Sequence, residues 1–128
     1  QEGIVPYWNQ YRHSSEVYLL EEEGIIIGGG ILFTQVTPDM MANAIQAQKY
    51  FDKAYVYLGF IWISEDKRGM GLGQFWLKKV FENNPNITFW LTIEDPQLES
   101  FYKKWGFAIS EKFENQGSPE WIMLRRPQ

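Results

Sequence analysis

Apolar positions along the chain fall into short blocks separated by polar and glycine-rich breaks, with the spacing switching between that of strands and that of helices. Val17–Leu20 reads as a strand, Glu21-Glu22-Glu23-Gly24 as a solvated hairpin tip, and Ile25–Thr34 as the returning strand. Gly28-Gly29-Gly30 interrupts that strand, which signals either a bulge or a close approach, and relief of crowding under a neighbouring helix is the preferred reading. Thr37 and Pro38 form a helix start. The helix runs on from Met40 to Phe51, with Met40, Met41, Ala44, Ile45 and Phe51 as its apolar face. Ala54–Ile63 is the next strand, most apolar from Leu58 to Ile63. Gln74–Phe81 carries apolar residues at helical spacing and ends at Asn83-Asn84-Pro85. Ile87–Ile93 is a nearly continuous apolar run, the mark of a strand covered on both faces. Strand, helix, strand in that order implies a right-handed parallel crossover. Asp95 caps a further helix with Pro96 at its first position, Leu98, Phe101, Tyr102 and Trp105 line one face, and Gly106 suits the left-handed residue beyond its end. Phe107–Phe113, a turn over Glu114–Pro119 and Glu120–Arg125 complete the pattern. The opening 16 residues are polar and aromatic, with Tyr7, Trp8 and Tyr11 near helical spacing.

Composition narrows the class. The chain has 128 residues, 45% of them hydrophobic and 17% aromatic, enough for one packed core and too apolar for disorder. It reads as a single domain over residues 1–128. A net charge of −4 and a pI near 5.0 argue against a nucleic-acid or anionic-membrane surface and tolerate a cationic acceptor. No cysteine and the single His13 exclude disulfides, thiolate metal sites and a histidine-rich metal site, so no metal is expected. No run reaches the length of a membrane span and no basic-then-apolar leader opens the chain, so the expected location is cytoplasmic.

The stretch that carries chemistry is Tyr57 to Phe81: a strand, then Arg68-Gly69-Met70-Gly71-Leu72-Gly73, then a helix. The first turn of a helix presents N–H groups with no internal partner, glycines let a ligand come close to the backbone, and the helix dipole favours negative charge. Such a unit cradles a phosphate or pyrophosphate; the plainer reading is a glycine turn that only joins strand to helix. A dinucleotide fingerprint would need glycine where Gln74 stands, and no Gly-Lys-Ser or Gly-Lys-Thr is present.

What is present, Arg68-x-x-Gly71-x-Gly73 after a strand, resembles the pyrophosphate signature of the GNAT superfamily of acyl-CoA-dependent N-acetyltransferases. Asp95-Pro-Gln-Leu-Glu-Ser-Phe-Tyr-Lys-Lys-Trp-Gly-Phe107 is similar to that superfamily's second signature, in the expected order and one strand further on. The likeness covers roughly residues 17 to 126. It implies an α/β fold of the α+β kind: a central mixed, mostly antiparallel sheet, helices on both faces, and a splay between two parallel strands. The first strand and helices of the usual pattern are short or missing here, and the segment from Met40 looks like a local insertion beside the acceptor entrance. An uncovered sheet edge invites pairing, which leaves room for a homodimer.

The resemblance also assigns roles. Main-chain groups of Ile61 and Ile63 would pair with the pantetheine arm of acetyl-CoA, and the N–H groups of Arg68, Gly69, Met70, Gly71, Leu72, Gly73 and Gln74 would hold its pyrophosphate. The Arg68 side chain adds charge or lies solvated. A backbone N–H near Phe60 or Ile61 would donate to the thioester oxygen. Tyr102 would be the catalytic acid beside the sulfur; its alternative is a core aromatic. With phenol near ~10 and a thiol near ~8.5, proton sharing is energetically reasonable. Asp95 stands where relatives usually carry a cofactor-contacting asparagine, and either contacts the coenzyme or only caps its helix. No carboxylate occupies the strand position where many relatives place a general base; ordered water is preferred over Tyr57 or Glu94. The function implied is transfer of an acetyl group to a primary amine of a small molecule or peptide by direct attack. The rivals are a CoA-binding regulatory or interaction module and transfer of a longer acyl chain.

Overall fold

The computed structural model describes residues 15–36 and 44–128. The aromatic opening segment with His13, the Thr37–Pro38 helix start, Met40 and Met41 lie outside the described residues. In chain order the elements are β1 (Ser15–Glu22), β2 (Ile25–Phe33), α1 (Ala44–Phe51), β3 (Val56–Ile63), a 3-10 turn (Glu65–Lys67), α2 (Leu72–Asn83), β4 (Phe89–Ile93), α3 (Leu98–Lys103), β5 (Ala108–Asn115) and β6 (Ser118–Arg125). The fold is mixed α/β: β1–β2, β4–β6 and β5–β6 are antiparallel and β3–β4 is parallel.

The chain divides into two units, 1–33 with 58–85, and 34–57 with 86–128. In the first, β1, β2 and the body of β3 lie in that order. Glu23 and Gly24 join β1 to β2 with φ of 52° and 81°, the pair of left-handed residues that a two-residue hairpin of matching twist requires. The turn is therefore shorter than the predicted four residues. Leu20 faces Gly28 while Glu21 faces Ile26, so Ile27 is the extra residue of a bulge. Its carbonyl accepts the Ser64 N–H at 2.7 Å, just beyond β3.

Crowding explains the glycine run. A Cβ on Gly30 would lie 2.5 Å from the Trp76 ring of α2, while one on Gly28 or Gly29 would lie 2.7 Å from the carbonyl of Trp62 or Tyr18. The expected relief beneath a helix thus holds at Gly30, and the other two glycines accommodate neighbouring strands. Trp76 is 1% exposed and its indole N–H donates to the Tyr18 carbonyl at 2.9 Å. Burying roughly 200 Å² of indole at about 25 cal/mol per Å² is worth about 5 kcal/mol, so this contact anchors α2. Leu77, Val80 and Phe81 complete its buried face. Asn84 closes the helix, its amide donating to the Val80 carbonyl at 2.8 Å.

In the second unit the order is β3-β4-β6-β5. β3 enters through Val56↔Phe89 and Tyr57↔Trp90, and β4 pairs with β6 from Phe89↔Arg125 to Ile93↔Trp121. Gln116 and Gly117, with φ of 54° and 84°, make another two-residue turn. β5 and β6 therefore extend into the segment predicted as a loop.

Helix α1 buries Ala47, Tyr50 and Phe51. Tyr50 stacks on Trp90 at 5.2 Å and Phe51 meets the same ring edge-on at 5.3 Å. Ile45, predicted to face inward, is 86% exposed, and Tyr50 takes the buried place. The helix ends in a Schellman motif: Tyr55 N–H reaches the Tyr50 carbonyl and Ala54 N–H the Phe51 carbonyl. Ala54 supplies the left-handed residue at φ 62°, which is why β3 begins at Val56 and not at the predicted Ala54.

Candidate functional site

Ile63 ends β3, the 3-10 turn follows, and Arg68 leads into Gly69 and Gly71, whose φ values of 81° and 76° are left-handed. Both positions need glycine for the backbone alone. Gly71 is the N-cap of α2 and Phe75 N–H closes the first turn on the Gly71 carbonyl at 3.0 Å. The N–H groups of Leu72, Gly73 and Gln74 are therefore left at the helix end without an intrahelical partner, at its positive pole. Among the described residues no neighbouring atom lies within 4 Å of a Cβ built on Gly69, Gly71 or Gly73. Gly73 is informative because it has neither a left-handed φ nor, among the described residues, a neighbour to avoid. A helical glycine costs roughly 0.5–1 kcal/mol relative to alanine. The space before it suits a ligand that approaches the main chain.

Arg68 is exposed, and its Nε donates to the Ile63 carbonyl at 3.0 Å. The guanidinium thus folds back over the strand end and ties the loop to β3. Lys67 is committed to Glu22 at 2.7 Å. Ser64 donates to Asp66 at 2.6 Å, which holds that carboxyl below its ordinary value. Met70 is exposed. Ile61 and Ile63 lie in β3, close in sequence to this loop.

Tyr102 belongs to the second unit. Its helix begins at Leu98 with Gln97 as N-cap, later than the predicted start at Pro96, and the Asp95 carboxylate accepts the Gln97 N–H at 2.9 Å in the turn that leads into it. Asp95 is exposed and caps that turn. Helix α3 also ends in a Schellman motif: Phe107 N–H donates to the Tyr102 carbonyl at 3.2 Å and Gly106 N–H to the Lys103 carbonyl at 3.0 Å. Gly106 has φ 94°. The apolar contact that accompanies such an ending is Tyr102 against Phe107, edge to face at 5.6 Å, with Phe101 on its other side at 5.1 Å. Tyr102 is half-buried, and that burial pushes its phenol above the ordinary value. The hydroxyl accordingly stays protonated through the neutral range. Among the described residues it has no hydrogen-bond partner. The predicted apolar face of α3 is only partly covered: Leu98 is 44% exposed and no residue of the helix is fully buried.

Of the candidate bases, Glu94 is exposed, whereas Tyr57 packs its ring 4.5 Å from that of Trp90. One polar pair escapes a reading of the sequence. Glu120 is only 6% exposed and accepts a 2.6 Å bond from the Asn115 amide nitrogen. The Asn115 oxygen is buried without a partner among the described residues, as is the Trp90 indole nitrogen. Its signal was available: Glu120, Ile122 and Leu124 alternate on one face of β6, so a charge occupies an inward position.

The model of the acetyltransferase (GNAT) family matches residues 1–107. The chain belongs to the GNAT acetyltransferase family. This GNAT chain is an acyltransferase by that membership, and its mixed sheet agrees with solved relatives. Escherichia coli ElaA shares 21% identity over 88% of this chain and 68% of its own, with a TM-score of 0.59. An HPA2-related acetyltransferase from Corynebacterium glutamicum shares 21% over 93% and 68%, with a TM-score of 0.67. A GNAT acetyltransferase from Elizabethkingia anophelis, solved with acetyl-CoA bound, shares 17% over 98% and 84%, with a TM-score of 0.64. At these identities the likeness establishes the fold. A search of curated proteins found no match. No helix among the described residues is long and apolar enough to cross a membrane.

Proposed function

We propose that this GNAT domain transfers an acetyl group from acetyl-CoA to a primary amine of a small molecule or peptide. The observation that carries the reading is the open glycine cradle: two left-handed glycines ahead of a helix N-terminus, with free space before Gly69, Gly71 and Gly73. N–H groups from Gly69 to Gln74 hold the pyrophosphate, the Arg68 N–H being turned to the Glu65 carbonyl at 3.4 Å, and the main chain of Ile61 and Ile63 pairs with the pantetheine arm. The Ile63 carbonyl receives Arg68 as well, and a carbonyl has lone pairs for two donors.

The neutral amine nitrogen attacks the thioester carbonyl carbon. The C–S bond breaks and the departing thiolate takes a proton from the Tyr102 hydroxyl. Solvent then reprotonates the phenolate, and water takes the proton lost by the amine. Burial keeps the Tyr102 phenol protonated but makes it a weaker acid, so what supports the role is its hydroxyl's freedom to hydrogen-bond the forming thiolate and share its proton. Asp95 contributes by capping the turn that leads into the helix bearing Tyr102.

The test is calorimetric titration with acetyl-CoA followed by thiol release with a panel of primary amines. Saturable binding and amine-dependent release are expected. Binding without release from any amine would leave a coenzyme-binding module, and absence of binding would remove the reading altogether.

A further inference from the structure

Between the start of β5 and the chain just beyond β6 lies an open cavity of about 340 Å³ that the acetyl-transfer reading does not use. That is the size of a site for a small organic molecule. Ala108, Ile109 and Leu124 give it an apolar wall, and Ser110 and Arg126 add polar groups. All five belong to the second unit, and the cavity shares no residue with the glycine loop.

The polar groups are placed by a backbone irregularity and by two tyrosines. Ile109 faces Met123 while Glu111 faces Ile122, so Ser110 is the extra residue of a bulge. A bulge re-aims a side chain out of the alternation of its strand. Ser110 Oγ lies 3.0 Å from the Tyr50 hydroxyl. Tyr50 gives its own proton to Glu111 at 2.9 Å, so Ser110 is the donor to Tyr50. Arg126 Nη1 donates to the Tyr55 hydroxyl at 3.1 Å. The rings of Tyr50 and Tyr55 stack with centroids 6.3 Å apart. One tyrosine pair therefore braces both polar groups before a ligand arrives, and such preorganisation lowers the cost of binding.

The charge left over is positive. Glu111 is taken up by Lys49 and Tyr50. No carboxylate among the described residues pairs with Arg126. One of its five N–H groups is spent on Tyr55, and the rest belong to a planar fork whose shape suits a carboxylate. Lys53 stands 5.9 Å from the centre of the Tyr55 ring and adds a second positive charge nearby. A bare oxyanion would leave the apolar wall unused, and an ammonium group would be repelled by the guanidinium. A short aliphatic chain that ends in a carboxylate uses both.

We propose that this cavity binds a small aliphatic carboxylate, its charged end on Arg126 and its chain against Ala108, Ile109 and Leu124. The site does not depend on the acetyl-transfer reading.

The experiment titrates the whole chain with sodium hexanoate by calorimetry, with 1-hexanol, hexylammonium chloride and sodium phosphate as comparison ligands. Hexanoate binds with a Kd of about 1 mM or tighter, and the other three bind at least about tenfold more weakly. Arg126→Gln weakens hexanoate by about tenfold or more, and Ile109→Asn by about threefold or more, while acetyl-CoA affinity stays within about twofold. Both side chains are exposed, so each variant melts within about 2 °C of the unsubstituted protein, and lost affinity is not lost folding. The inference is overturned if hexanoate fails to bind or binds Arg126→Gln equally well. Phosphate bound as tightly as hexanoate also overturns it and leaves a plain oxyanion site, and hexanol bound as tightly leaves an apolar crevice. Absent hexanoate binding with acetyl-CoA binding intact strikes this site alone, whereas the reverse result strikes the acetyl-transfer reading and leaves this one standing.

Discussion

The loop from Arg68 to Gly73 and the helix that carries Tyr102 work on opposite terms. In the loop the side chains are glycine or exposed apart from a half-buried Leu72, and what it offers a ligand is main-chain N–H groups and space left open by the described residues. On α3 one side chain matters, held by its packing against Phe101 and Phe107 and by the Schellman ending that uses its own carbonyl. On the proposed function, binding in the first region would depend on what is absent, and chemistry in the second on how one hydroxyl is aimed. Substitutions should therefore separate affinity from turnover.

The largest effect is expected from Gly73→Asp. A carboxylate at the helix N-terminus suits the dipole, so the melting temperature holds or rises. It also occupies the anion's place, and acetyl-CoA affinity by calorimetry should drop about 100-fold. Retained affinity would break the comparison, because the loop's emptiness would then be incidental.

Tyr102→Phe comes next, with kcat lower by about tenfold and acetyl-CoA affinity unchanged. Burial raises the folded phenol, so its stabilising protonation difference is complete below the unfolded value near ~10 and is lost as pH rises through the higher folded value. The kcat–pH profile should hold its plateau to about pH 10, fall above it, and lose that alkaline limb in the phenylalanine variant. An unchanged kcat would reduce Tyr102 to a packing residue.

Gly106→Ala sharpens the aiming argument. Alanine is strained at φ 94° and its Cβ would push aside the Gln128 side chain. Urea unfolding should show a loss of about 1–2 kcal/mol, accompanied by lower kcat if the helix ending orients the phenol. The smallest effect is at the matching position of α1. Ala54→Gly relieves a left-handed alanine and should gain about 0.5–1 kcal/mol in the same assay, leaving kcat unchanged.

Much of this was legible in the sequence because local rules and burial agree there. The glycine loop, the helix after it, the Asp95-Pro96 cap and the left-handed Gly106 all follow from residue types whose preferences the fold obeys. The errors fall where tertiary packing overrides them. Ile45 points outward because Tyr50 and Phe51 of its helix meet Trp90. The apolar pattern extends β3 back to Ala54 because alanine carries no sign of a left-handed ending. The polar run from Glu114 to Pro119 predicts a turn, yet Glu114 and Pro119 pair across β5 and β6, since Gln116 and Gly117 alone suffice to reverse the chain. The Glu120–Asn115 pair depends on depth of burial, which composition does not reveal.

The consecutive glycines of β2 carry a consequence for genetics. An alanine at Gly30 collides with a side chain, so shrinking Trp76 to leucine should partly rescue it as a second-site suppressor. An alanine at Gly29 collides with the Tyr18 main chain, which every residue type at position 18 shares, so no substitution there can relieve it. Three adjacent positions of one amino acid would thus look equally intolerant in a single-mutant scan, and a paired scan would tell the packing constraint from the backbone one.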